Sequence, residues 1–124
     1  MSELIYKEES YIITGICMEV HNELGPGLLE IVYKEALEWE FDNQFIQYER
    51  EKEYPVFYKK HRLTKKFNAD FVVYDKIILE IKAKESISNE DIAQTINYSK
   101  LSSCKLGIIV NFGRSKLEIK RIAN

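Results

Sequence analysis

The segment FNADFVVYDKIILEIKA (residues 67–83) sets Asp70 in one apolar run and Glu80 and Lys82 in the next. Side chains alternate along a strand, so Glu80 and Lys82 share one face while Leu79 and Ile81 point to the other. The place of Asp70 depends on the turn. If Tyr74, Asp75 and Lys76 form a three-residue turn, Val73 pairs with Ile77 and Asp70 lies opposite Glu80, with Cβ atoms ~5 Å apart. A two-residue turn at Asp75 and Lys76 would pair Asp70 with Ile81 and leave Glu80 on the other face.

Two carboxylates held side by side repel. A hard divalent cation relieves the conflict, because Mg²⁺ takes one or two carboxylates and fills its other positions with water and phosphate oxygens. Lys82, two residues beyond Glu80, could then orient or deprotonate a water. Metal, water and lysine beside a phosphate are the parts needed for phosphodiester hydrolysis. The plainer reading is an ion pair between Lys82 and Asp70 or Glu80 on a half-exposed sheet face.

Two helical features add to the set. GLLEIVY (residues 27–33) puts Glu30 at the border of an apolar stripe, beside Leu37 and Phe41 on a helical wheel, whereas Glu35, Glu38 and Asp42 fall on the wet side. Further on, Gln94, Tyr98 and Leu101 share a face separate from Ile92 and Ile96, where a Gln and a Tyr could contact a phosphate or the lysine. A solvated glutamate and a polar helix flank are the plainer readings of each.

The elements that must hold these residues are legible from periodicity. Ile13, Ile16, Cys17, Val20 and Leu24 recur at helical spacing from about Ser10, and Gly25 supplies a stop. After the GPG turn, Leu28, Leu29, Val32, Tyr33, Ala36 and Leu37 form a second stripe, so a helical hairpin, or one long helix broken at Pro26, is expected. Residues 45–48, 54–58, 65–74 and 77–83 are rich in aromatic and β-branched residues, as strands are, with KKHR and YDK as polar tips. Ser88 caps a third helix with Asp91 three residues on, and Ile92, Ala93 and Ile96 are expected to face its core. KLGIIVNFG (residues 105–113) reads as a strand buried on both faces, and KLEIKRI (residues 116–122) as an edge strand or a C-terminal arm. A strand–helix–strand crossover is parallel, so the sheet is mixed and covered by helices, an α/β sandwich.

Bulk properties narrow the class. The 124 residues, 45% hydrophobic and 31% charged, fit one globular domain spanning 1–124. No apolar run approaches the ~20 residues of a membrane helix, and MSELIYKEES lacks a signal-peptide layout, so a cytoplasmic protein without membrane contact is expected. Cys17, Cys104, His21 and His61 show no zinc spacing, and Cys17 falls on a helix stripe as a packed thiol. A net charge of −2 argues against a protein that coats DNA electrostatically. Positive charge is concentrated in KKHRLTKK (residues 59–66), where Lys59, Lys60, Arg62, Lys65 and Lys66 could contact phosphates, or form a solvated hairpin tip.

GPGLLEIVYKEAL, NADFVVYDKIILEIKA, QTINY and KLGIIVNFG, in that order, resemble the GxxExxY proteins, a small branch of the PD-(D/E)XK nuclease superfamily. The resemblance covers residues 12–122 and implies a restriction-endonuclease-like αβββαβ core. By motif it implies that Asp70 and Glu80, with the carbonyl of Ile81, hold Mg²⁺ (Mn²⁺ as an alternative), that Lys82 is the catalytic lysine, and that Glu30 joins the metal site. Gln94, Tyr98 and Tyr33 would support them. Ala69-Asp70 stands where the motif has Pro-Asp, which leaves the acid in place. The implied activity is nucleic-acid hydrolysis, with DNA the favoured substrate and a homodimer the simplest route to double-strand cutting. The rival is a non-catalytic nucleic-acid-binding or protein-interaction module on the same fold.

Overall fold

The computed structural model describes residues 5–123. The elements are α1 (Lys7–Leu24), α2 (Glu30–Asn43), β1 (Tyr48–Tyr58), β2 (His61–Val73), β3 (Ile77–Lys82), α3 (Asn89–Ser102), β4 (Leu106–Asn111) and β5 (Glu118–Ala123). The five strands form one sheet in sequence order. Only β3 and β4 run parallel, joined through α3, and the other pairs are antiparallel. This is the mixed, helix-flanked sheet that the patterns imply.

The two faces carry separate cores. On one, Ile13, Cys17 and Val20 of α1 and Tyr33, Leu37 and Phe41 of α2 pack on Phe71, Leu79, Ile81 and Val110. On the other, Tyr98 of α3 packs with Tyr54, Ala69, Val72, Ile78 and Cys104. Burial pushes the Cys17 thiol up to about 12, as befits a packed sulfur.

Several local expectations shift. The helical hairpin forms around Gly25 and Gly27, both at positive φ (70° and 100°), where glycine is least strained. Its second stripe is rotated from the expected one. Leu28, Leu29 and Val32 are exposed, and Tyr33, Lys34, Leu37 and Phe41 are buried, because the aromatics at 33 and 41 set which side meets the sheet. Residues 45–48 and 54–58 are not separate strands: β1 runs through EREKEY, because β2 supplies a full-length partner. KLEIKRI forms an edge strand antiparallel to β4.

On α3, Ile92 and Ile96 are only half-buried and Ala93 is exposed, while Asp91, Thr95, Tyr98 and Ser99 face inward. The cause is close approach. A Cβ on Gly107 of β4 would stand 2.6 Å from Thr95 Cγ2, so only small groups fit between helix and strand. The capping box is complete, with Asp91 N–H donating to Ser88 Oγ and Ser88 N–H to Asp91 Oδ2.

Candidate active site

The β2–β3 turn decides the first question. Val73 pairs with Ile77, so Tyr74, Asp75 and Lys76 form the three-residue connection. Tyr74 and Asp75 both have positive φ, and Lys76 N–H donates to Val73 O, as in a type I′ turn. The backbone pairing ends at Phe71↔Leu79. One residue on, carboxylates take over from carbonyls. The Asp70 N–H donates to Glu80 Oε2 at 2.8 Å, and the Ile81 N–H donates to Asp70 Oδ2 at 2.8 Å. Each acid thus satisfies an amide of the opposite strand, which fixes both side chains at the end of the ladder.

Glu80 is 3% exposed. Burial first, and the charge of Asp70 second, push its carboxyl up to about 8, against the pull of the Asp70 amide and of Lys82 and Lys34. Both effects favour a proton on Glu80 in the metal-free site. That proton occupies the electrostatic place of a cation, so the pair suits one. Among the described residues no group of three or more His, Cys, Asp or Glu side chains is placed to hold a metal. Two carboxylates suit a hard, largely hydrated Mg²⁺ or Mn²⁺ rather than a structural zinc.

The lysines divide between the acids. Lys82 lies within ion-pair range of neither Asp70 nor Glu80; its Nζ is 3.8 Å from Asp91 Oδ1, too long for a hydrogen bond. Asp91 is gripped instead by Lys84 Nζ at 2.7 Å. Burial alone would raise the Asp91 carboxyl, but Lys84 and the Ser88 cap hold it below its usual value. Lys82 is thereby left with a loose tether. The partner of Asp70 is Lys34 of α2, 2.8 Å from Oδ1 and also 2.7 Å from Glu51 Oε1. Burial would depress the Lys34 ammonium, yet its hydrogen bonds to Asp70 and Glu51 raise it overall.

The segment carrying Lys82 is braced from β4. The buried Asn111 accepts from Lys84 N–H and donates to Lys84 O, and Phe112 N–H donates to Lys82 O. Gly113 permits this contact, because a Cβ there would lie 2.2 Å from Lys84 O.

The remaining candidates separate. Glu30 is exposed at the start of α2, and the structure does not gather it with Asp70 and Glu80; Lys34, one turn on, reaches Asp70 instead. Tyr33 is fully buried, stacked on Phe112 at 4.5 Å, with its hydroxyl donating to Gly25 O, so it pins the interhelical loop. Tyr98, Gln94, Lys65 and Lys66 line one groove of about 670 Å³ between β2 and α3. Burial, then the charges of Glu80, Asp70 and Glu51, push the Tyr98 phenol up to about 12 and keep it a neutral donor. Lys59 and Lys60 form the β1–β2 tip, both at positive φ, with Arg62 beside them, and all three are exposed. A cleft of about 680 Å³ beside α1, lined by Tyr11, Ile12 and Arg121, contains none of the candidates.

Sequence reasoning passed over Lys34, Glu51, Asp91 as a tether, and Asn111. Asn111 carried a signal, since an amide inside an otherwise apolar buried strand must be hydrogen-bonded.

No curated protein matches the chain. The fold resembles the crystal structure of SSO0001, with a TM-score of 0.62 and 19% sequence identity over 96% of this chain. The chain spans about 60% of the length of that structure. No helix among the described residues is long and apolar enough to cross a membrane. The family model of the PD-(D/E)XK nuclease superfamily matches residues 7–122, a span that includes Asp70, Glu80 and Lys82. With paired acids at the end of the β2–β3 ladder and a lysine two residues beyond the second, the chain belongs to the PD-(D/E)XK nuclease superfamily.

Proposed function

We propose that the chain is a metal-dependent nuclease of the GxxExxY branch, acting on DNA in preference to RNA. The observation that carries this reading is the reciprocal clasp of Asp70 and Glu80, two acids held side by side with Glu80 buried. Gly27, Glu30 and Tyr33 stand at the spacing for which the branch is named.

Asp70, Glu80 and the carbonyl of Ile81 would hold Mg²⁺ or Mn²⁺. The cation would supply charge to the scissile phosphate and acidify a water. Lys82, loosely tethered at Asp91, orients the attacking water and offsets the charge that builds on the phosphate. Tyr98 and Gln94 contact the nucleic-acid backbone from the groove wall. Lys65 and Lys66 on its rim, with Lys59, Lys60 and Arg62 at the tip, contact flanking phosphates without reading bases. Two copies would be required to cut both strands at once, which favours a homodimer during double-strand cleavage.

The test is cleavage of plasmid and oligonucleotides by the purified chain with Mg²⁺ or with EDTA, alongside Lys82→Ala. Metal-dependent cleavage lost in Lys82→Ala supports the reading. Nucleic-acid binding without cleavage under any metal would replace it with a non-catalytic binding module.

A further inference from the structure

Lys34 is a buried cation with no part in the motif that defines the acids. Its side chain is 11% exposed, and its ammonium touches Asp70 Oδ1 and Glu51 Oε1 at nearly equal distances. A lysine so placed costs desolvation that only good pairing offsets. Here the pairing carboxylate is one of the two acids of the site.

Glu51 is held there by an unusual backbone. It stands between the pairs Arg50↔Phe71 and Lys52↔Ala69, opposite Asp70, with φ 55°. Non-glycine residues adopt this conformation at a cost, and such strain persists where the surroundings impose it. The packing records the same irregularity. Tyr48 packs on the α1–α2 face and Tyr54 on the α3 face, although strict alternation would put both on one side. The same break falls between Ala69 and Phe71 on β2. The two strands thus change face together at the level of Glu51 and Asp70, and this turns the Glu51 carboxylate toward Lys34.

We infer that Lys34 and Glu51 form a charge relay that sets metal affinity, which rests on the reading of Asp70 and Glu80 as metal-holding acids. In the metal-free protein Lys34 is the resident counter-cation of Asp70. A divalent cation competes with it for the same carboxylate, and Glu51 receives the displaced ammonium. Lys34 and Glu51 are positioning residues, and neither touches the reacting phosphate.

The relay gives the two residues opposite signs. Removing the ammonium leaves Asp70 more negative, so Lys34→Met, which keeps the side-chain volume, should bind Mn²⁺ about tenfold more tightly. Removing the negative charge of Glu51 leaves the ammonium more firmly on Asp70, so Glu51→Gln should bind Mn²⁺ severalfold more weakly. Lys34→Arg keeps the charge and should not tighten binding. Calorimetric titration of Mn²⁺ into the metal-stripped full chain and these variants reads all three, with circular dichroism to confirm folding. Equal or weaker affinity in Lys34→Met overturns the inference. If that variant fails to fold, Glu51→Gln decides, since its side chain is 43% exposed and Gln keeps its shape; unchanged or tighter binding overturns the relay. Parent protein that binds Mn²⁺ with no difference among variants removes the relay alone. Parent protein that binds no Mn²⁺ removes both the relay and the nuclease reading.

Discussion

Asp70 and Glu80 face each other one residue past the last backbone pair of β2 and β3, each accepting an amide hydrogen bond from the other's strand at 2.8 Å. Both side chains are thus anchored to backbone amides with no cation needed to place them. The pair also stores a conflict, because Glu80 is buried beside a second acid and its carboxyl is pushed up by both. The two acids are therefore positioned by the backbone and mutually repelling, an arrangement that a cation would relieve.

The first prediction concerns pH. The Glu80 carboxyl is raised in the folded chain, from an ordinary value of 4.5 to about 8. A group raised on folding contributes stability below its unfolded pKa and loses it as pH climbs through the folded one. Melting temperature in EDTA should fall between pH 5 and pH 8, by up to about 4 °C per pH unit. Glu80→Gln should flatten that slope and melt higher than the parent at pH 8. A parent curve as flat as that of the variant would show that Glu80 titrates normally.

Asp70→Asn tests the metal. Asp70 pairs with Lys34 rather than Lys82, so Asn forfeits one ion pair while relieving repulsion against Glu80, and Lys34 keeps Glu51. The two effects oppose, and the metal-free variant should melt within about 4 °C of the parent. Mg²⁺ at tenfold excess over its dissociation constant should stabilise the parent by about 1.4 kcal/mol, several degrees in melting temperature. Asp70→Asn should lose both that shift and cleavage. Thermal melts of both proteins with and without Mg²⁺ provide the readout, and an equal shift in the variant would move the metal elsewhere.

Gly113→Ala probes the brace behind Lys82. The added methyl would sit 2.2 Å from Lys84 O and 2.4 Å from Lys84 N, where backbone rather than a flexible side chain must give way. Forcing a methyl into so tight a contact should cost about 1–3 kcal/mol or more in urea unfolding. Because the displaced segment carries Lys82, cleavage at a temperature where the variant stays folded should drop as well. Parent-like stability would mean that the β3–α3 connection is not fixed by β4.

The basic arm predicts salt dependence. Replacing Lys59, Lys60, Lys65 and Lys66 with Ser should weaken nucleic-acid binding alike on all sequences and flatten the dependence of affinity on salt. Titrations of labelled oligonucleotides at several salt concentrations measure both quantities. Unchanged affinity would shift the contact surface to Arg114, Lys116, Lys120 and Arg121.

Much of this was written locally in the chain. Runs of aromatic and β-branched residues interrupted by KKHR and YDK marked the antiparallel meander, and the continuous apolar run LGIIV marked a strand covered on both sides, because those side chains suit a pleated, buried surface. Strand alternation put Glu80 and Lys82 on one face. Whether Asp70 joined them rested on one residue of turn length, which composition left open because Tyr74 and Asp75 are not glycines and do not announce their positive φ.

Tertiary structure decided the rest. Lys34 reads as solvated in any sequence pattern, yet it is buried, because Asp70 and Glu51 arrive from β2 and β1 to meet it. Ile92 and Ile96 promised the core face of α3 and yielded it to Thr95 and Ser99, because Gly107 on β4 lets only small groups lie that close. Periodicity encodes which residues share a face of one element. It does not encode what the opposing surface supplies, and for a charged side chain that supply alone determines whether burial is stable.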